Sequence, residues 1–77
     1  MTAKKSEFQF VPLKDAHSQE IGKQLVLRKG ERAGYVFKKD GNWAGYVHRR
    51  ADVLGHGTSR EKAFLDAEKR LKDEVPG

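Results

Sequence analysis

Residues 34–47 read Gly34-Tyr-Val-Phe-Lys-Lys-Asp40-Gly41-Asn-Trp43-Ala-Gly-Tyr-Val47, two alternating runs on either side of Asp-Gly. A two-residue type I′ turn needs positive φ at both central positions, which Asp tolerates and Gly adopts freely. With Asp40-Gly41 as that turn, Lys38 faces Trp43, Val36 faces Gly45 and Gly34 faces Val47 on one side of a sheet. The other side pairs Phe37 with Ala44, Tyr35 with Tyr46 and Ala33 with His48. The first set, with two Gly and two Val, forms a shallow groove for a helix and is the expected core face. The second leaves Tyr35, Phe37, Tyr46 and His48 less covered, with Arg50 on the same side. A longer turn would slip the register and exchange the two faces.

Strand signals continue outward from this hairpin. Gln24-Leu-Val-Leu-Arg28 is a short run rich in branched residues, and Lys29-Gly-Glu-Arg32 supplies a turn. The third strand of the pattern runs from Asn42 to Arg49. Ala51-Asp-Val-Leu54 forms a short fourth, ended by Gly55-His-Gly57. Phe8 to Leu13 alternates, but Pro12 restricts it to an edge strand or an extended arm. Residues 1–7 read as a loose tail, and Lys14 to Glu20 as a connection.

After Gly57 the apolar period changes from two to 3.6. Thr58-Ser-Arg-Glu61 matches a capping box, with Thr58 as N-cap. Ala63, Phe64, Ala67, Leu71 and Val75 line one helix face. Asp66/Arg70 and Glu68/Lys72 are favourable i,i+4 pairs on the wet side, and Pro76-Gly77 stops the helix. The expected fold is α+β: an antiparallel three- to four-stranded meander packed on one C-terminal helix. Residues 1–20 form a tail or arm with an edge strand over 8–13, and residues 21–77 a single βββα domain.

Seventy-seven residues make one small domain with a limited core. The absence of Cys excludes disulfides, thiolate zinc sites and a Cys nucleophile. No apolar run approaches a membrane span, and Met1-Thr-Ala-Lys-Lys-Ser lacks the apolar stretch of a signal peptide, so a cytoplasmic location is the default. The three His are too scattered for a metal site, no cofactor motif occurs, and Asp15 with His17 implies neither nucleophile nor pocket. The chain does not read as an enzyme.

Charge is distributed unevenly. Residues 21–57 carry eight Lys/Arg against three Asp/Glu, whereas residues 1–20 and 58–77 are each balanced. The whole excess of +5 therefore sits in the strand region, together with the only Trp and both Tyr. A basic, aromatic-bearing sheet suits a polyanion, because rings stack or wedge while cations hold phosphates. The candidate nucleic-acid-binding residues are Tyr35, Lys38, Lys39, Tyr46, His48, Arg49, Arg50 and Arg60. Lys38-Lys39 and Arg49-Arg50 are doublets without acidic neighbours in the pattern. Strand-edge Lys also discourages aggregation, which is the competing reading of the cluster. Trp43 reads first as a core residue and second as a wedge. The helix start after Gly55-His-Gly-Thr-Ser-Arg60 offers an anion site, which the helix cap already partly occupies.

The run from Gly34-Tyr-Val-Phe through Lys38-Lys-Asp-Gly, Trp43-Ala-Gly-Tyr-Val-His-Arg49 and Val53-Leu-Gly55 to Thr58-Ser-Arg-Glu-Lys-Ala-Phe-Leu-Asp-Ala67 resembles small three-stranded-sheet-plus-helix DNA-binding domains. These are the arm-type domains of phage tyrosine integrases and the plant ethylene-response-factor domain. The resemblance implies that the sheet face opposite the helix lies in the major groove, with Tyr46, His48 and Arg50 on that face and Lys38 and Lys39 at the turn. Those sheets usually present several Arg, where this one offers Tyr and His. The end of the chain is also similar to the tail of a double-stranded-RNA-binding domain, and its Gly-Thr-x-x-Glu-Ala-like helix start to HicB antitoxins. The leading expectation is a nucleic-acid-binding protein, double-stranded DNA before RNA. The alternative is a protein-interaction module, such as a phage-encoded modulator of a host protein or an antitoxin-like domain.

Overall fold

The computed structural model describes residues 8–74. The elements are β1 (Phe8–Pro12), α1 (Ala16–Ile21), β2 (Gln24–Arg28), β3 (Glu31–Lys39), β4 (Asn42–Val47), β5 (Arg50–Gly57) and α2 (Arg60–Glu74). The five strands form one antiparallel sheet in the order β1-β2-β3-β4-β5, and α2 packs on one face of it. The expected α+β meander with a C-terminal helix is present, with five strands rather than three or four. The tail at residues 1–7, Val75 and the Pro76-Gly77 stop lie outside the described residues.

The central hairpin has the register that Asp-Gly dictates: Gly34 faces Val47, Tyr35 faces Tyr46, Val36 faces Gly45, Phe37 faces Ala44 and Lys38 faces Trp43. Asp40 and Gly41 have φ of 53° and 83°, the paired positive values of a type I′ turn. Lys29 and Gly30 repeat this geometry with φ of 53° and 81°, closed by Arg28 opposite Glu31. The expected connection over Lys29–Arg32 is therefore only two residues long, and β3 begins at Glu31.

Departures elsewhere have local causes. β1 is an edge strand paired with β2 along its whole length, so it belongs to the sheet rather than to a separate arm. Pro12 sits at its last position, where a missing N–H matters least. The expected connection over Lys14–Glu20 contains a helix. The Asp15 carboxylate accepts the Ser18 N–H at 3.0 Å, and Gly22 ends the turn at φ 71°. Between β2 and β3 the register shifts after Val26, and Ala33 packs toward the core, while its carbonyl still accepts the His48 N–H at 3.1 Å. A further shift between Gly45 and Val47 sets Val47 against Arg50, so the third expected strand stops at Val47 rather than Arg49. The His48-Arg49 turn has no positive φ, and unprimed turns splay the strands they join, which a bulge absorbs.

β5 runs through Gly55 and Gly57, which the sequence suggests as its end. A Cβ on Gly55 would collide with the backbone N of Ala67 and stand 2.6 Å from Ala63 O and Ala67 Cα. Glycine there lets α2 lie against the strand. Phe64, Ala63 and Ala67 are fully buried on α2, opposite Val26, Val36 and Val47. Phe8 adds an edge-on ring contact to Phe64, with centroids 5.3 Å apart. Burying Phe64 stabilises by about 3 kcal/mol, the largest single apolar term in so small a core.

The cap of α2 is shifted by one residue from the expected Thr58. Ser59 Oγ accepts the Lys62 N–H at 3.3 Å, and Ser59 O takes the first helical bond from Ala63 at 2.9 Å. Asp66 and Arg70 pair at 2.9 Å as expected. Glu68 instead reaches across to Arg28 on β2, also at 2.9 Å, because α2 lies directly over the sheet and brings the guanidinium within range. Asp66 further accepts the backbone N–H of His56 at 2.9 Å, giving an edge-strand amide a partner from the helix.

Candidate nucleic-acid interface

Alternation, interrupted by the shifts at Ala33 and between Gly45 and Val47, assigns the strand residues to faces. Phe8, Phe10, Val26, Val36, Val47 and Gly55 face α2. Register positions Gln9, Val11, Leu25, Tyr35, Phe37, Lys39, Ala44, Tyr46 and His56 lie on the opposite face. No described helix packs there.

Three rings form the centre of this open face. The Tyr35 and Tyr46 centroids are 5.6 Å apart, and Phe37 lies 6.5 Å from Tyr46. Their cross-strand pairing follows from the Asp-Gly turn, since one residue of slip would turn all three toward α2. All three are half-buried, and Ala44 between them is fully buried beneath their edges. The Lys23 ammonium sits 4.8 Å from the Tyr35 centroid and 5.6 Å from that of Tyr46. Such cation–π contacts contribute about 0.5–1 kcal/mol at an exposed site.

Lys39 lies at the hairpin end of the same face. Arg32, opposite Leu27 beyond the bulge, lies at the other end of β3. Among the face positions on β1 to β4 there is no Asp or Glu, since Glu31 stands opposite Arg28 on the helix side. Acidic groups gather around α2 instead, where Arg28–Glu68 and Arg70–Asp66 are paired. The open face of β1 to β4 therefore carries cations alone, whereas the helix side carries both signs.

The eight candidate residues do not form one patch. Tyr35, Tyr46 and Lys39 share the open face. His48 and Arg49 form the exposed β4–β5 turn, and the His48 Nδ1 lies 3.3 Å from Ala33 O. Arg50 does have an acidic neighbour: its Nε and Nη2 donate to the two Asp52 carboxylate oxygens, each at 3.0 Å. That pair holds the Asp52 carboxyl below its usual value. Lys38 and Arg60 are on the helix side. They flank the half-buried Trp43 at 5.8 and 5.9 Å, and Arg60 also donates to Gln24 Oε1 at 2.8 Å and covers Phe10. Trp43 thus packs against the core, as its first reading holds. The Lys38-Lys39 doublet is divided between faces by the strand itself.

Lys23, Phe37 and Arg32 complete the open face and are missing from the candidate set. Lys23 and Phe37 have a visible signal, the odd-numbered alternation through Leu25 and Tyr35. Arg32 has none, because the bulge at Ala33 changes its side. At the start of α2, Ser59 already engages the Lys62 and Ala63 amides, which reduces what an anion could use there. Among the described residues no three His, Asp or Glu side chains converge, and no helix is long and apolar enough to cross a membrane. Comparisons with protein-family models, with curated proteins and with solved structures find no match for this chain.

Proposed function

We propose that this protein binds nucleic acid through the sheet face opposite α2. The observation that carries the reading is the Tyr35/Phe37/Tyr46 cluster beneath Lys23, on an uncovered face whose other strand charges are Arg32 and Lys39. Rings give bases a surface, and cations without carboxylate neighbours hold phosphates. Arg49, at the β4–β5 turn, lines a cleft with Val47 and Leu71 on the helix side and lies apart from this face. Arg50, expected on this face, instead stands opposite Val47 on the helix side and pairs with Asp52, so it contributes little.

Three phosphate contacts, from Lys23, Arg32 and Lys39, give a slope of log affinity against log salt of about −2 for a single strand and about −3 for B-form DNA. The side assignment has its own test in two neighbouring substitutions. Lys39→Glu weakens binding and flattens the salt slope by roughly one contact, whereas Lys38→Glu, on the helix side, leaves both nearly unchanged. Equal losses from the two would refute the open face as the binding surface.

A second reading, a protein partner, is favoured by the aliphatic residues beside the rings. Val11 is 40% exposed, and Leu25 lies next to Tyr35 across β2 and β3. In that case binding would depend on Val11 and Tyr46 and respond weakly to salt.

A further inference from the structure

We infer that the open face selects single-stranded over duplex nucleic acid, stacking unpaired bases on Tyr46 and its neighbours. This inference rests on the reading of that face as a nucleic-acid surface and specifies its ligand.

Width is the first argument. Five strands have four spacings of about 4.8 Å, so the face is about 19 Å across, whereas the major groove of B-form DNA is about 12 Å wide. A groove of that size admits a helix or a two-stranded ribbon. The rings lie on β3 and β4, inside the sheet, with β1 and β2 on one side and β5 on the other. The flanking strands would meet the phosphate ridges before the rings reached a base edge.

Chemistry is the second. Duplex readout uses Arg, Lys, Asn and Gln aimed at base edges. The centre of this face offers Tyr35, Phe37, Tyr46, Ala44 and Leu25, which have little to donate to a base edge but suit an unpaired base ring. Polar groups stand at the ends: Arg32 at one end of β3, Lys39 and Asn42 at the other. A single strand crossing the rings would keep its backbone within reach of these. Lys23 already lies over two of the rings on a flexible stem, so an entering base displaces a weak contact and the freed ammonium can pair with phosphate.

The test is a fluorescence-anisotropy titration with a short labelled oligodeoxynucleotide and with the same sequence as a duplex, at low and moderate salt. Single-strand affinity at least tenfold above duplex affinity is expected. Tyr46→Ala should lower single-strand affinity about tenfold, and Tyr46→Phe should keep most of it, since the ring rather than the hydroxyl stacks. Tyr46 is half-buried, so the unsubstituted protein supplies a second readout. Ring-proton shifts of Tyr35 and Tyr46 should move on adding single strand, while those of Trp43 stay in place. Duplex binding equal to or tighter than single-strand binding, with the Tyr ring signals moved, would overturn this inference and leave the open face standing as a nucleic-acid surface, whereas unmoved Tyr ring signals in a saturated complex would overturn both the inference and that face. No binding of either form at low salt would remove both.

Discussion

Replacing Gly55 by Ala tests the closeness of α2 to the sheet, on which the assignment of both faces depends. The backbone of Gly55 needs no glycine for its own conformation. Its role is space: an added Cβ would collide with Ala67 N and stand 2.6 Å from Ala63 O and Ala67 Cα. Ordinary contact begins at 3.4 Å, so α2 must retreat by about 1 Å or more, with Ala67 N setting the distance. None of these atoms can swing aside, because all belong to helix backbone. A gap of that size forfeits a quarter to a half of the dispersion attraction across the interface. Phe64, Ala63 and Ala67, all fully buried, stand in that interface. Overpacking typically costs 1–3 kcal/mol, and an unyielding backbone places this site at the upper end, about 3 kcal/mol. A domain of this length has a net stability of about 4–11 kcal/mol, so the loss is a large fraction.

Gly41→Ala is the control. Gly41 has φ 83° and no atom within 4 Å of an added Cβ, so only backbone strain opposes alanine, at about 1 kcal/mol. Urea unfolding followed by circular dichroism compares the two. With a urea dependence of about 1 kcal/mol per molar, Gly55→Ala lowers the midpoint by about 3 M and Gly41→Ala by about 1 M. A Gly55→Ala shift no larger than that of Gly41→Ala would refute the close approach of helix and sheet.

Lys29 holds a left-handed φ of 53° at the β2–β3 turn, so Lys29→Asn should stabilise by about 0.5–1 kcal/mol, read as a higher urea midpoint. Asp66→Ala removes the acceptor of the His56 amide and the partner of Arg70. It should cost about 1–2 kcal/mol, and slowed amide exchange at His56 should be lost. Asp15, Asp52 and Asp66 all titrate below the ordinary value of 3.8, held down by the Ser18 amide, by Arg50 and by Arg70 respectively. As pH falls through about 4 the unfolded chain takes up protons before the folded one, so stability holds at neutral pH and declines in acid below that point. Urea midpoints measured from neutral to acid pH should show the fall, and Asp66→Ala should make it shallower.

The central hairpin was legible because one dipeptide determined it. Asp40-Gly41 fixed the turn, the turn fixed the register, and the register placed Tyr35 and Tyr46 together away from Phe64. The rest was harder for physical reasons. Lys29-Gly30 adopts the same turn type, but Lys in a left-handed conformation gives no composition signal. Gly55 and Gly57 look like a strand terminus until α2 is seen lying on them. Thr58 and Ser59 are both good caps, and residue spacing alone favours the one with Glu three positions on. The site was legible where alternation is unbroken, at Tyr35, Phe37 and Tyr46. It failed for Lys38 and Arg60, because adjacency in sequence puts neighbours on opposite faces of a strand, and Arg60 belongs to the helix that covers the other side.

The distribution of side-chain size across the sheet also bears on function. In a domain short of apolar mass, stability alone would favour placing the largest rings beneath α2. Here the helix side of β3, β4 and β5 carries Trp43 at the hairpin end but only Gly34, Gly45, Gly55 and Gly57 with Val36 and Val47 beneath the middle of α2, while Tyr35, Phe37, Tyr46 and Leu25 stand on the side no described helix covers. Each half-buried ring there leaves part of its roughly 2–3 kcal/mol of burial energy unrealised. An open face that retains large rings and cations but no strand carboxylate on β1 to β4 is a departure from local stability rules, and such departures concentrate at functional sites. An occupant that covers the rings would recover that energy as affinity. Ligand binding should therefore raise the urea midpoint in proportion to the logarithm of ligand concentration, and the rise should vanish when Tyr46 is replaced by a residue without a ring.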